Sequence, residues 1–329
     1  MSQTLCTTLW EGFNKVVEAR AALQKLFEHA DQDGLSADVI DSAIKVFEDQ
    51  KLEYKTQLQS PAKLPDGRAI YATDYLALCK LATDNALDIF DILVKVGDDS
   101  INSVARVSKL ELQELGLSNI SALKHLTALT DLDLIDNCIK DIRPISNLSR
   151  LTSLRISRNQ IEDISPLQNL NNLSSLNLSH NQIDDISPIQ NLTTLTDLGI
   201  GNNKIVDISP IKNLTALVYL ALSNNQIVDI DSIKNLTALS SLLLGNNKIV
   251  DLSPIQNLTA LTGLTLSGNQ IVDLTPIQKL TAITHLHISN NQIVDLSPIQ
   301  NLHARTTITC KNNPLSDASK AILAARRQA

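Results

Sequence analysis

The chain lacks an excess of positive charge: 28 Lys and Arg stand against 35 Asp and Glu, a net charge of −7 over 329 residues. Nucleic acids and anionic membranes select clustered basic residues, so neither is expected as a partner. No stretch approaches the roughly 18 consecutive apolar residues of a membrane-spanning helix, so no membrane insertion is expected. The N-terminus has no basic start followed by an apolar run, the mark of a secretory leader. Cys6, Cys79, Cys138 and Cys310 are too scattered for a disulfide framework, which fits a reducing compartment. The expected location is therefore cytoplasmic, or one reached by a route without a classical signal peptide. No nucleophile elbow, phosphate-binding glycine loop or paired carboxylates stand out. The chain is expected not to be an enzyme and to carry no cofactor.

What is present is an asparagine every 22 residues: Asn137, Asn159, Asn181, Asn203, Asn225, Asn247, Asn269, Asn291 and Asn313. Each closes a block L-x-x-L-x-L-x-x-N, as with Leu217, Leu220, Leu222 and Asn225. The L-x-L step is a short strand with leucines on one face. One unit cannot bury its leucines alone, so neighbours stack into a continuous core with a parallel sheet. The asparagine amide, with two donors and an acceptor, suits backbone groups stranded in the following loop.

The other half of the unit reads I-V-D-L-S-P-I-Q-N-L-T. An aspartate recurs from Asp141 to Asp295, and a proline from Pro144 to Pro298, with Ser232 the one gap. Proline rejects a long helix, and Asp or Ser before it suits a capped turn. Short turns and 3₁₀ segments are expected there. Each aspartate is alone in its turn, whereas calcium takes six to eight oxygens, so capping is the reading.

These residues identify a leucine-rich repeat pattern. It resembles the 22-residue repeats of bacterial internalin-like proteins, and is similar in length to those of a eukaryotic regulatory subunit of protein phosphatase 1. The resemblance covers about Val104 to Leu315 and implies a protein-binding concave face. The predicted fold is an α/β solenoid with a parallel concave sheet and a back of turns and 3₁₀ segments. Residues 104–315 supply ten units, the first atypical, with Leu115 in place of asparagine. Residues 316–329 are expected to form a short helical cap.

Residues 1–103 lack the ladder and hold 10 basic and 17 acidic residues, so the whole charge excess lies here. Helical spacing of apolar residues predicts helices over Leu5–His29, Ser36–Glu53 and Thr73–Val96, with residues 55–69 as a loop. This predicts a helical bundle that caps the first repeat. Asp31-Gln32-Asp33-Gly34 resembles part of a calcium-binding loop but lacks its closing Glu, so a turn is expected.

Residues 22 apart are neighbours, so the concave face can be written out in rows. Most of it is Ser, Gly, Asn or Thr. Charge gathers at the N-terminal end: Lys109 beside Asp131, then Glu111, Asp133 and Arg155, and Glu114, Asp136 and Arg158, with Asp197 further on. Tyr219, Ala221 and Leu243 form the one apolar island. His285 and His287 face the same way on one strand, half of a metal site, but their neighbours Gly263, Thr265, Thr307 and Thr309 cannot complete it. The candidate protein-binding residues are thus Lys109, Glu111, Asp131, Asp133, Arg155, Arg158, Asp197, Tyr219, Leu243, His285 and His287. The function expected is a monomeric, non-catalytic scaffold for a protein partner. The alternative is a regulator whose acidic helical domain carries the activity while the repeats position it.

Overall fold

The computed structural model describes residues 62–63, 69–70, 72–87, 96–97, 107–303 and 305–326. The helices expected over Leu5–His29 and Ser36–Glu53, and the turn at Asp31–Gly34, lie outside them. The chain divides into two compact units, Met1–Glu111 with Asn119–Leu129, and Leu112–Ser118 with Thr130–Ala329.

In the first unit, β1 (Ala62–Lys63) pairs antiparallel with β2 (Ala69–Ile70), inside the stretch expected to be a loop. Helix α1 spans Ala72–Asp84. It is shorter than the expected Thr73–Val96 for a local reason. Ala86 takes φ 56°, and the N–H groups of Asn85 and Leu87 both turn back to the Ala82 carbonyl. That left-handed step closes the last turn. Beyond it, β3 (Val96–Gly97) pairs antiparallel with β4 (Lys109–Glu111) where the helix was expected to end. Helix α1 packs on the 3₁₀ turn Ser121–His125, burying Leu78 and Leu81 on one element and Ala122 and Leu123 on the other.

The second unit is the repeat array. Its strands are β5 (Asp131–Asp133), β6 (Ser153–Arg155), β7 (Ser175–Asn177), β8 (Asp197–Gly199), β9 (Tyr219–Ala221), β10 (Ser241–Leu243), β11 (Gly263–Thr265), β12 (His285–His287) and β13 (Thr307–Thr309). All are parallel, and every pairing is shifted by one repeat, as in Leu198 against Leu220. The central residue of β5 to β12 is a fully buried leucine, stacked on its neighbour's. The opposite side holds 3₁₀ turns, such as Ser165–Leu167 and Ser253–Ile255, each opened by a proline. Asp231–Ile233 forms the same turn without one, so the aspartate two residues earlier matters more than the ring. Asp251 shows how: its carboxylate accepts the Ser253 N–H at 2.8 Å and the Ser253 hydroxyl at 2.6 Å. The hydroxyl first, then the N–H, holds that carboxyl below the usual range.

The asparagines close the other side of each strand. Asn159 donates to the carbonyls of Leu134 and Ile156, at 2.9 and 3.2 Å, and accepts the Ile139 N–H at 2.9 Å. Leu134 and Ile139 belong to the preceding repeat, so each asparagine completes its neighbour's loop as well as its own. Asn313 keeps this pattern in the degraded last unit. Helix α2 (Asp317–Arg326) follows. Its fully buried Ser319 accepts the Leu296 N–H and donates to the Val294 carbonyl, both at 2.9 Å.

Candidate protein-binding face on the strands

Alternation along each three-residue strand sends the middle leucine inward and the outer two residues to the open face. The sequence placed its candidate residues other than Arg158 at those outer positions, and the strands carry them there. Lys109 and Glu111 flank buried Leu110 in the first unit. The remaining candidates belong to the second.

Two of them are joined. Arg155 Nε lies 3.2 Å from Asp133 Oδ2, while Asp133 Oδ1 accepts the Ile135 N–H at 3.0 Å. The Asp133 side chain is 9% exposed and that of Arg155 50%. A nearly buried carboxylate, anchored on the Ile135 N–H, thus forms an ion pair with a half-exposed guanidinium. Asn177, next in the row, anchors its own carbonyl on the Ser179 N–H at 3.0 Å. Gly199 then leaves the floor low: a Cβ there would stand 3.1 Å from Asn177 Oδ1.

The second expected row, Glu114, Asp136 and Arg158, is not a set of ion pairs. These residues sit just past the strands, all exposed, and all in the left-handed region with φ of 61°, 57° and 55°. The same conformation recurs at His180, Asn202, Asn224, Asn246, Gly268, Asn290 and Asn312. Glycine, asparagine, aspartate and histidine tolerate it; Glu and Arg are less at ease there. This ladder was missed in the sequence, although Asn or Gly at one fixed register position is its signature. Two pairs of these asparagines bond side chain to side chain, Asn246 to Asn224 at 2.8 Å and Asn312 to Asn290 at 2.7 Å, while Asn202 meets His180 Nε2 at 3.2 Å.

Asp131 and Asp197 each accept a hydroxyl from the threonine before them, at 2.7 Å. Tyr219 and Leu243, both half-buried, lie on adjacent strands, with Leu243 directly beside Ala221 and Thr265. His285 and His287 engage the hydroxyls of Thr284 and Thr309, at 2.9 and 2.8 Å, and among the described residues no third ligating group joins them. On the turn side, a groove of about 570 Å³ is lined by Glu162, Asp163, Asp184 and Asp185 among others. Asp163 and Asp185 are both committed to their turns, through Ser165 and Ser187. Among the described residues, no helix is long and apolar enough to cross a membrane.

The family described as Leucine Rich repeats (2 copies) matches seven overlapping segments, from 127–169 to 259–301. No curated protein matches the chain. Among solved structures, an internalin (inlF) from Listeria monocytogenes is 34% identical, over 70% of this chain and 82% of its own, with a TM-score of 0.49. Internalin C2 (inlC2) of the same organism is 28% identical, over 68% and 92%, with a TM-score of 0.55. The ectodomain of the Arabidopsis thaliana receptor kinase GASSHO1/SCHENGEN3, solved in complex with CASPARIAN STRIP INTEGRITY FACTOR 2, shares the fold at 21% identity, over 66% and 31%, with a TM-score of 0.57. The matched repeats and their 22-residue period show that the chain belongs to the leucine-rich repeat family, and the likeness to internalin C2 supports its internalin-like form.

Proposed function

We propose that this chain is a non-catalytic scaffold that binds a protein partner through the concave, strand-bearing face of its repeats. Arrays of this family are typically protein-interaction scaffolds. The observation that carries the finer reading is the Asp133–Arg155 pair. Most of the face is Ser, Thr or Gly, which offer a partner little area. Arg155 departs from that background: it is paired with a nearly buried carboxylate and its side chain stays half exposed. A guanidinium in that position suits a carboxylate on the partner, and a side chain restrained by an ion pair loses less entropy on binding. Tyr219 and Leu243 supply the apolar anchor three and four strands from Arg155, and tyrosine is enriched at binding hot spots.

The test compares the parent with Arg155→Glu combined with Arg158→Glu, and with Tyr219→Ala, in pull-downs from the native host. A partner retained by the parent should be lost or weakened in both, with Tyr219→Ala costing about 1–2 kcal/mol. Equal retention by variants with unchanged melting curves moves the site off this face.

A further inference from the structure

One row on the outside of the array changes character halfway along. It is the residue between the inward isoleucine and the turn aspartate. In three successive repeats it is Lys140, Glu162 and Asp184, and in the next five Val206, Val228, Val250, Val272 and Val294. The valines are 57, 54, 52, 52 and 46% exposed, the most continuous apolar feature of the described surface.

The fold does not require them. Backbone hydrogen bonds beside this row run unbroken across the change. Gln160 donates to Ile139 at 2.9 Å and Gln182 to Ile161 at 2.8 Å, and Gln226 to Ile205 and Gln270 to Ile249 at 2.9 Å. Lys, Glu and Asp thus occupy the same place, on the same backbone, as the valines. β-branching favours an extended segment, but that preference did not exclude polar residues from the first three repeats.

We propose that this stripe is a self-association surface, and that its occupant is a second copy of the same chain. The flanking rows supply the complementarity. On one side of the valines lie Lys204, Gln226, Lys248, Gln270 and Gln292; on the other, Asp207, Asp229, Asp251, Asp273 and Asp295, all exposed. A two-fold axis along the stripe sets valine on valine and exchanges the two flanks. Lys204 and Lys248 then face Asp207 and Asp251 of the second copy, and the glutamines face the other aspartates. Such an interface is isologous and closes at two copies. Five half-exposed valines offer on the order of 400 Å² of apolar surface, the size of the largest and often functional patch of an ordinary monomer. With both flanks the face approaches the roughly 800 Å² per partner of a stable dimer. Glu162 and Asp184, beside Asp163 and Asp185, end the surface with like charge.

Analytical ultracentrifugation of the full chain over a wide concentration range tests this. Reversible dimerisation is expected. Combining Val228→Glu, Val250→Lys and Val272→Asp, residue types that the row already tolerates, should weaken it about tenfold or more. In a Cys138→Ser background, Val250→Cys should give disulfide-linked dimers under mild oxidation, well ahead of the exposed control Thr215→Cys; this reports even where the triple variant unfolds. A parent that stays monomeric throughout overturns the proposal. So does a dimer that the triple variant leaves intact, or one in which position 250 does not cross-link. A monomer that instead binds a different protein through the valines overturns it too. Arg155 and Tyr219 lie on the strand face, so losing the partner there would leave this result unchanged.

Discussion

The carboxylate of Asp74, 1% exposed, accepts the backbone N–H of Val107 at 2.8 Å. A buried acid from the first turn of α1 thereby satisfies the backbone leading into β4. Asp74→Ala should leave that N–H unpaired and lower stability by about 1–3 kcal/mol. Asp74→Asn keeps an acceptor and should lose less. Urea denaturation of the three proteins decides it; equal midpoints would show that the contact contributes nothing.

Replacing a ladder asparagine removes several bonds at once. Asn225→Ala orphans the carbonyls of Ile200 and Leu222 and the Ile205 N–H. The expected loss is at least about 1–3 kcal/mol, the penalty for one buried unpaired group. Asn225→Asp restores an acceptor but no donor, and should rescue little. Thermal melts read both.

The left-handed ladder makes an opposite prediction. Glu114 and Arg158 stand at φ 61° and 55°, where asparagine is better tolerated. Glu114→Asn and Arg158→Asn should each stabilise the chain by about 0.5–1 kcal/mol. If Arg158 contacts the partner, its variant should bind more weakly while melting higher. A lower melting temperature in both variants would show that the backbone there is not strained.

Acid should weaken the turn side. Asp251 and Asp295 sit below the usual 3.8 because the hydroxyls, then the N–H groups, of Ser253 and Ser297 hold them charged. A carboxyl lowered in the folded state adds stability that is complete above its unfolded value and lost as pH falls through the folded one. Stability should therefore fall as pH drops below about 4. Asp251→Asn with Asp295→Asn should be less stable at neutral pH and flatter across that acid range, as read by melts from pH 7 to 2.

The array was legible because its signals are periodic. Leu220 and Leu242 stand in identical surroundings, so nine asparagines in register carry one message nine times. The turn aspartates, the 3₁₀ segments and the parallel register follow from the same repetition. Site residues depart from it, and a departure has no repeat to confirm it. Spacing placed Asp133 beside Arg155 but did not tell that ion pair from the unpaired row of Glu114, Asp136 and Arg158. Helix α1 was drawn too long because apolar residues continue past Asp84; its end depends on Ala86 adopting a left-handed turn, which the residue type does not announce. The exposed valines were passed over because they belong to the consensus, and their meaning lies in the three repeats that lack them.

Each asparagine serves the repeat before it, and Ser319 serves the last. The joints between units are thus interchangeable, while the terminus is chemically distinct. Excising residues 226–247 would bring Asn225 up to Lys248 and recreate the same joint, whereas removing a number of residues that is not a multiple of the 22-residue period would strand carbonyls on both sides. Evolution can therefore adjust the reach of this molecule in steps of one repeat without redesigning either end, and the number of units is the easiest property of the chain to change.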